Sequence, residues 1–192
     1  LTSTAVLTSH RNLVAQIVLY GQRGREHLQT LKARGQTPDY KTLACLPTAH
    51  IAGLVSYFCY GPFLGGRVYW MPNFDFPNFL AYHRKYRLTW LFSVPPIYLL
   101  IAKSPSVTDH FDSIEVAVSA AAPLGRDLQY LASTKLGKGK VLISQVWGLS
   151  ETTGAVTALP WHERDETGSV SSLLPSLSLR SVNQIFIARF AF

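Results

Sequence analysis

The stretch Gln145-Val146-Trp147-Gly148-Leu149-Ser150-Glu151-Thr152-Thr153-Gly154 brings a flat ring, a hydroxyl and a carboxylate close together. Gly148 leaves room for backbone to approach a ligand, and Trp147 offers a face on which a base can stack, worth about 1–3 kcal/mol. Ser150 can bond a phosphate oxygen, and Glu151 is the kind of carboxylate that holds Mg²⁺ beside phosphates. The set suits a nucleotide with a metal. It also fits a plain structural role, with Trp147 in the core and Glu151 on a solvated turn. A second stretch, Ser119-Ala120-Ala121-Ala122-Pro123-Leu124, is small and flat. Either a ligand lies against its backbone or a strand packs closely into a helix there. His50 stands in Pro47-Thr48-Ala49-His50-Ile51-Ala52-Gly53, between apolar runs. An isolated histidine in such a setting is more often a hydrogen-bonded core residue than a catalyst.

Other chemistries find no support. A Ser/His/Asp hydrolase needs the elbow G-x-S-x-G, which does not occur. No pair of histidines has metal-ligand spacing. Cys45 and Cys59 form neither a CxxC pair nor a thiol–histidine cluster, so buried free thiols in a reducing compartment are expected.

The elements that must position these residues alternate in type. Ser9 can cap a short helix that carries Leu13, Ile17 and Val18 and stops at Gly21. Thr42–Leu46 and Arg67–Met71 read as buried strands, each ended by a proline. Asp75 precedes Phe76, Phe79, Leu80, His83 and Tyr86 at helical spacing, with Pro77 in the first turn, where its missing N–H costs nothing. Leu88–Phe92 is a strand, Pro95-Pro96 opens a helix through Leu100, and Val116–Val118 is a strand. Leu124, Leu128, Leu131 and Leu136 line one helical face, and Lys140–Ser144 is the next strand. Strands alternating with helices imply an α/β fold, a mainly parallel sheet with flanking helices. Ligands of such sheets bind outside the carboxyl ends of the strands, where Ser119–Pro123 and Gln145–Glu151 would both lie.

Composition agrees. With 47% hydrophobic and only 15% charged residues among 192, the chain is neither a disordered tail nor a coiled coil. Its 18 Lys and Arg against 11 Asp and Glu give +7. That permits an anionic partner, but the basic residues are spread out. The densest group, Arg23, Arg25, Lys32, Arg34 and Lys41, reads as a solvated connector, and no nucleic-acid reader motif accompanies it. Thr42–Gly66 carries no Asp, Glu, Lys or Arg and is long enough to span a bilayer. Pro47, His50, Gly53, Gly61, Pro62, Gly65 and Gly66 interrupt it, so buried strand, loop and helix is the simpler reading, with no transmembrane segment. The first residues, Leu1–Leu7, lack the basic region and apolar core of a signal peptide and read as a chain entered in its middle.

Taken in order, the motifs resemble the adenylate-forming superfamily of AMP-dependent synthetases and ligases, and within it the coumarate and fatty-acyl CoA ligase branch. The resemblance rests on Leu7–Leu13, Pro47–Gly53, Met71-Pro72-Asn73-Phe74-Asp75, Val94-Pro95-Pro96, Ser119–Leu124 and Gly148–Gly154, and covers roughly Ala5 to Pro175. It implies the partial N-terminal domain of such an enzyme. The reaction would take a small-molecule carboxylic acid, ATP with Mg²⁺, and CoA. The acid would first be activated as an acyl-adenylate and then transferred to the CoA thiol. By the same resemblance, Gln145, Val146, Trp147, Gly148 and Leu149 would frame the acyl pocket and the adenine, with Trp147 where the family usually has Tyr. Ser150 would contact phosphate in place of the common Thr, Glu151 would hold Mg²⁺, and His50 would border the acyl group as a catalytic residue. Ala121, Ala122 and Pro123 would lie against the adenine, with Ala120 where a Gly is common.

The departures are as informative. Ser3-Thr4 stand where the family's Ser/Thr/Gly-rich phosphate loop ends in Pro-Lys. Gly168–Pro175 begins a family-like segment, but residues 184–192 match no family motif and read as an atypical, frame-shifted or truncated end. The expectation is therefore a partial AMP-binding domain over residues 1–183 without the C-terminal lid domain. Such a chain would be inactive by itself, in a parent that is cytoplasmic or peroxisomal. The alternative is a non-catalytic module that holds AMP, an acyl-adenylate or a hydrophobic carboxylic acid.

Overall fold

The computed structural model describes residues 5–161, 163–182 and 185–190, from residue 180 onward by backbone pairing alone. Helix α1 spans His10–Ala33, its N-cap Ser9 accepting from the Asn12 N–H at 3.1 Å. The sequence pattern placed its end at Gly21. The helix instead runs on for a dozen residues, because Gly21 is a packing position: a Cβ there would come within 2.6 Å of the Phe63 ring. Arg23, Arg25 and Lys32 therefore lie on a helix and not in a connector, with the Arg25 guanidinium 4.2 Å above the Phe63 ring. Lys41 pairs with Asp39 at 2.6 Å.

Five parallel strands follow: β1 (Lys41–Ala44), β2 (Arg67–Trp70), β3 (Trp90–Ser93), β4 (Val116–Ser119) and β5 (Ser144–Gln145). Their spatial order is β2-β1-β3-β4-β5. The connection from β1 to β2 is helical: α2 (Ile51–Gly53), a π-wound stretch Leu54–Tyr60, and α3 (Gly61–Phe63). Pro62 has no N–H to close a regular bond onto Phe58, which favours the wider winding there. No helix among the described residues is long and apolar enough to cross a membrane.

Helix α4 (Phe76–Tyr86) forms where the pattern placed it, with the Asp75 carboxylate accepting from Asn78 N–H at 2.9 Å and Phe79, Leu80 and His83 buried. Helix α5 (Pro95–Lys103) also starts at its prolines. Helix α6 (Arg126–Ser133) departs from the leucine pattern: Leu131 is 45% exposed, and Leu124 and Leu136 are buried outside the helix ends. The strand expected over Lys140–Ser144 pairs only at its end. Side chains of α6 take the backbone groups of Ile143 that a strand would have paired: Ser133 Oγ accepts from its N–H at 3.1 Å, and Gln129 Nε2 donates to its carbonyl at 2.7 Å.

Successive strand residues face opposite sides of the sheet. Leu43, Leu91 and Ala117 join Phe79, Tyr98, Ile101 and Phe111 in one core; Trp90, Val116 and Val118 join Tyr20, Tyr40 and Tyr60 in the other. Burial on both faces is why β1, β3 and β4 read as near-continuous apolar runs. β2, expected as a buried strand, lies instead at the end of the sheet order with Arg67 exposed and Trp70 48% exposed, because only β1 flanks it. After β5 the chain forms a small antiparallel pair, β6 (Gly148–Leu149) with β7 (Gly154–Ala155). Further on, β8 (Leu177–Val182) pairs antiparallel with β9 (Ile185–Phe190).

Candidate functional site

The chain goes from β1 to β2 on one side and then returns past β1 to lay β3 on the other. The β1/β3 boundary is therefore a topological switch point, where the loops leaving neighbouring strands diverge and open a crevice at the carboxyl ends. A cavity of about 290 Å³ lies there. His50, Ile51 and Ala52 reach it after β1, Phe92 from β3, Ala120 and Ala121 after β4, and Val146 and Gly148–Glu151 after β5.

The cavity has two kinds of wall. At the rim His50, Ala121, Leu149 and Glu151 are exposed, with the half-buried Ser150 between the last two. At the floor Tyr20, Val55, Ser56, Tyr60 and Val146 are buried. Burial pushes the phenol pKa values of Tyr20 and Tyr60 well up, so both are neutral hydrogen-bonding groups. Among the described residues no Lys or Arg lines the cavity, which leaves Glu151 as its one formal charge. Such a site accepts an elongate ligand, apolar at one end and hydrogen-bonded or metal-bridged at the other.

His50 is not the core residue that its neighbours suggested. It is exposed and caps α2, its Nδ1 accepting from the Ala52 N–H at 3.1 Å. In the neutral ring that bond fixes the proton on Nε2 and makes it a donor. The reason lies in the loop: Pro47, Thr48 and Ala49, just before it, are exposed too, so the apolar run is interrupted at the surface.

Gly148 does line the cavity, yet the close approach that it permits is first to its own chain. A Cβ on Gly148 would collide with the Gly154 carbonyl across the β6–β7 pair. The turn between them is Ser150–Thr152, and Thr152 Oγ1 ties it by accepting from the Leu149 N–H at 2.8 Å. Ser150 and Glu151 are thus presented on a bonded turn.

Four expected site residues do not line the cavity: Ala122, Pro123, Gln145 and Trp147. Ala122 and Pro123 are exposed beyond it. Gln145 is buried, with its side chain committed to the Leu124 backbone. Trp147 is half-buried, its N–H donating to Thr157 Oγ1 at 2.9 Å and its carbonyl accepting from the Val156 N–H at 2.8 Å. Conversely, sequence patterns gave no part in the site to Tyr20, Ser56, Tyr60 or Phe92. The readable trace of the first was the pair Gln16 and Tyr20, polar groups four residues apart among the buried residues of α1.

Comparison with known proteins agrees with this architecture. The family model described as AMP-binding enzyme matches residues 4–184. A protein of Emericella nidulans named as an acyl-coenzyme A synthetase is 43% identical over 93% of this chain and 31% of its own length. The acyl-CoA synthetase ACTT5 of Alternaria alternata is 37% identical over 77% of this chain and 26% of its own. The chain thus spans less than a third of the curated relatives that it matches. The crystal structure of ATP-bound MatB from Rhodopseudomonas palustris superimposes with a TM-score of 0.74 at 26% identity, over 92% of this chain and 32% of that one. Its mainly parallel sheet with flanking helices is that of the N-terminal domain of adenylate-forming enzymes, and the chain belongs to the AMP-binding enzyme family.

Proposed function

We propose that this chain is the part of an acyl- or aryl-CoA ligase that holds the acid and its adenylate. The observation that carries the reading is the two-part cavity at the β1/β3 switch point, with a rim of His50, Ser150 and Glu151 above a buried, uncharged floor. In the full reaction, a carboxylate oxygen of the acid attacks the α-phosphorus of ATP, forming the acyl-adenylate and expelling pyrophosphate. The sulfur of CoA then attacks the acyl carbon and AMP leaves.

The protein's share of this chemistry is positioning and charge stabilisation. The floor takes the acid's tail and so aims its carboxylate at the rim. His50 Nε2–H donates to an oxygen of the reacting carboxylate or phosphate. Ser150 Oγ donates to phosphate. Ala121, with Ala122 and Pro123 beyond it, offers a flat backbone to the adenine, and Trp147, outside the cavity wall, ties the loop after β5 through its backbone bonds to Thr157 and Val156. Gln145 holds that loop in place.

Among the described residues no three His, Cys, Asp or Glu side chains converge on a metal site. A lone carboxylate fits Mg²⁺ nonetheless, because Mg²⁺ usually takes one or two carboxylates and draws its other ligands from phosphates and water. Glu151 would be that carboxylate, and the ion would neutralise charge on the phosphates.

The 192 residues by themselves are proposed to bind without appreciable turnover. By the family resemblance Ser3-Thr4, outside the described residues, stand at the Pro-Lys positions of the phosphate loop, and groups that act together are lost non-additively. Thermal unfolding with and without Mg-ATP, AMP and a non-hydrolysable acyl-adenylate analogue tests the reading. A ligand at 100 times its Kd adds about 2.7 kcal/mol to a folded site. A raised transition with the analogue supports the reading, and a cooperative transition that no ligand moves overturns it. Pyrophosphate exchange at a substantial rate would overturn the absence of turnover alone. Binding with no turnover even in a chain extended to the length of the curated relatives would favour a non-catalytic module.

A further inference from the structure

A second, smaller cavity of about 30 Å³ lies behind the floor of the first, with room for one water-sized group. The two share four side chains as walls: Tyr20, Ser56, Tyr60 and Phe92. The tyrosines are stacked, with ring centroids 4.7 Å apart and planes 25° from parallel. Tyr60 is pinned from behind, its hydroxyl accepting from Gln16 Nε2 at 3.0 Å. Tyr20 packs edge-on against Trp161 at 5.7 Å. Beyond this partition the inner walls are Gly24, Trp90, Val116 and Val118, which present no charge.

Resting on the acyl-CoA ligase reading, we propose that Tyr20 of α1 sets the length limit of the acid. Stacked on Tyr60, it ends the tail pocket and shuts off the inner cavity. The tail it admits is uncharged, because the floor is uncharged and, among the described residues, offers no cation to a second carboxylate. Removal of the Tyr20 ring would join the inner cavity to the outer one and add the ring's own volume, space for further methylenes.

Tyr20 is the residue to vary, since truncation of Tyr60 would also strand the fully buried Gln16 amide. The probes are non-hydrolysable adenylate analogues of straight-chain acids graded by length, titrated calorimetrically into the 192-residue chain. Wild type should bind up to a certain length and then lose affinity. Tyr20→Ala should bind the first analogues past that length about tenfold tighter than wild type, the worth of one to two buried methylenes. Tyr20→Phe, which keeps the ring, should leave the limit unchanged. Should Tyr20→Ala fail to unfold cooperatively, Tyr20→Leu carries the same expectation, and Ser56→Val, narrowing the pocket from the facing helix, should shorten the limit. A folded Tyr20→Ala or Tyr20→Leu with the wild-type limit overturns the proposal and leaves the ligase reading standing. No analogue of any length binding to folded wild type overturns both. Equal affinity for an analogue whose tail ends in a second carboxylate overturns the uncharged tail.

Discussion

Gln145 holds both backbone groups of Leu124: its Oε1 accepts from the Leu124 N–H at 2.9 Å, and its Nε2 donates to the Leu124 carbonyl at 3.0 Å. The end of β5 is thereby tied to the loop after β4, and these are the two segments that bring Ala121 and Gly148–Glu151 to one cavity. A side chain expected among the ligand contacts is instead the brace between them.

Gln145→Ala should therefore cost about 2–4 kcal/mol in urea unfolding, because it strands a buried donor and a buried acceptor together. Gln145→Glu keeps the acceptor but sets a buried carboxylate against the Leu124 carbonyl, so its loss should be at least as large near neutral pH. Equal stability of wild type and Gln145→Ala would show that the clamp carries no energy.

Stability should fall in mild acid through His83. This ring is buried between Phe79 and Phe111, its Nδ1 2.8 Å from the Phe79 carbonyl. Burial, above all, lowers its pKa from 6.5 to about 4. The unfolded chain then binds the proton more readily than the folded one. The contribution is fully present above about pH 6.5 and is lost as the pH falls towards 4, about 3 kcal/mol in all. Denaturant midpoints measured across that range should show the slope, and His83→Leu should flatten it.

Ala121 sits at φ 72°, in the left-handed region that costs a side-chain-bearing residue about 1–2 kcal/mol. Ala121→Gly should raise the unfolding midpoint by the equivalent of about 1 kcal/mol, and Ala121→Val should lower it. A drop in Tm for the glycine variant would mean that the loop conformation is not under strain.

The two thiols should differ in reactivity. Cys45 is buried, its Sγ 3.9 Å from the Tyr57 hydroxyl, and burial pushes its pKa up to about 11. At pH 7.5 only about one molecule in three thousand would carry the thiolate. Cys59, also raised but half-buried, should alkylate first with iodoacetamide, and Cys45 should follow only with unfolding. Labelling of Cys45 in the native chain at the rate of Cys59 would contradict this.

What the sequence by itself determined was the alternation of elements and the parallel sheet. Proline and capping signals placed α4 and α5, and apolar runs placed β1 to β4, because these are local choices of backbone and burial. It also marked the rim of the cavity: the strand-end position of Ser150 and Glu151 follows from β/α order alone. Tertiary structure decided the rest. Gly21 reads as a helix stop until the Phe63 ring packs against it, and His50 reads as core until the loop before it proves exposed. Gln145, expected at the ligand, became a brace, and Tyr20, given no part by the sequence, became a cavity wall, for the same reason. Which side chain lines a cavity depends on partners far away in the chain, Leu124 for one and Tyr60 for the other, and no local pattern records where those partners will lie.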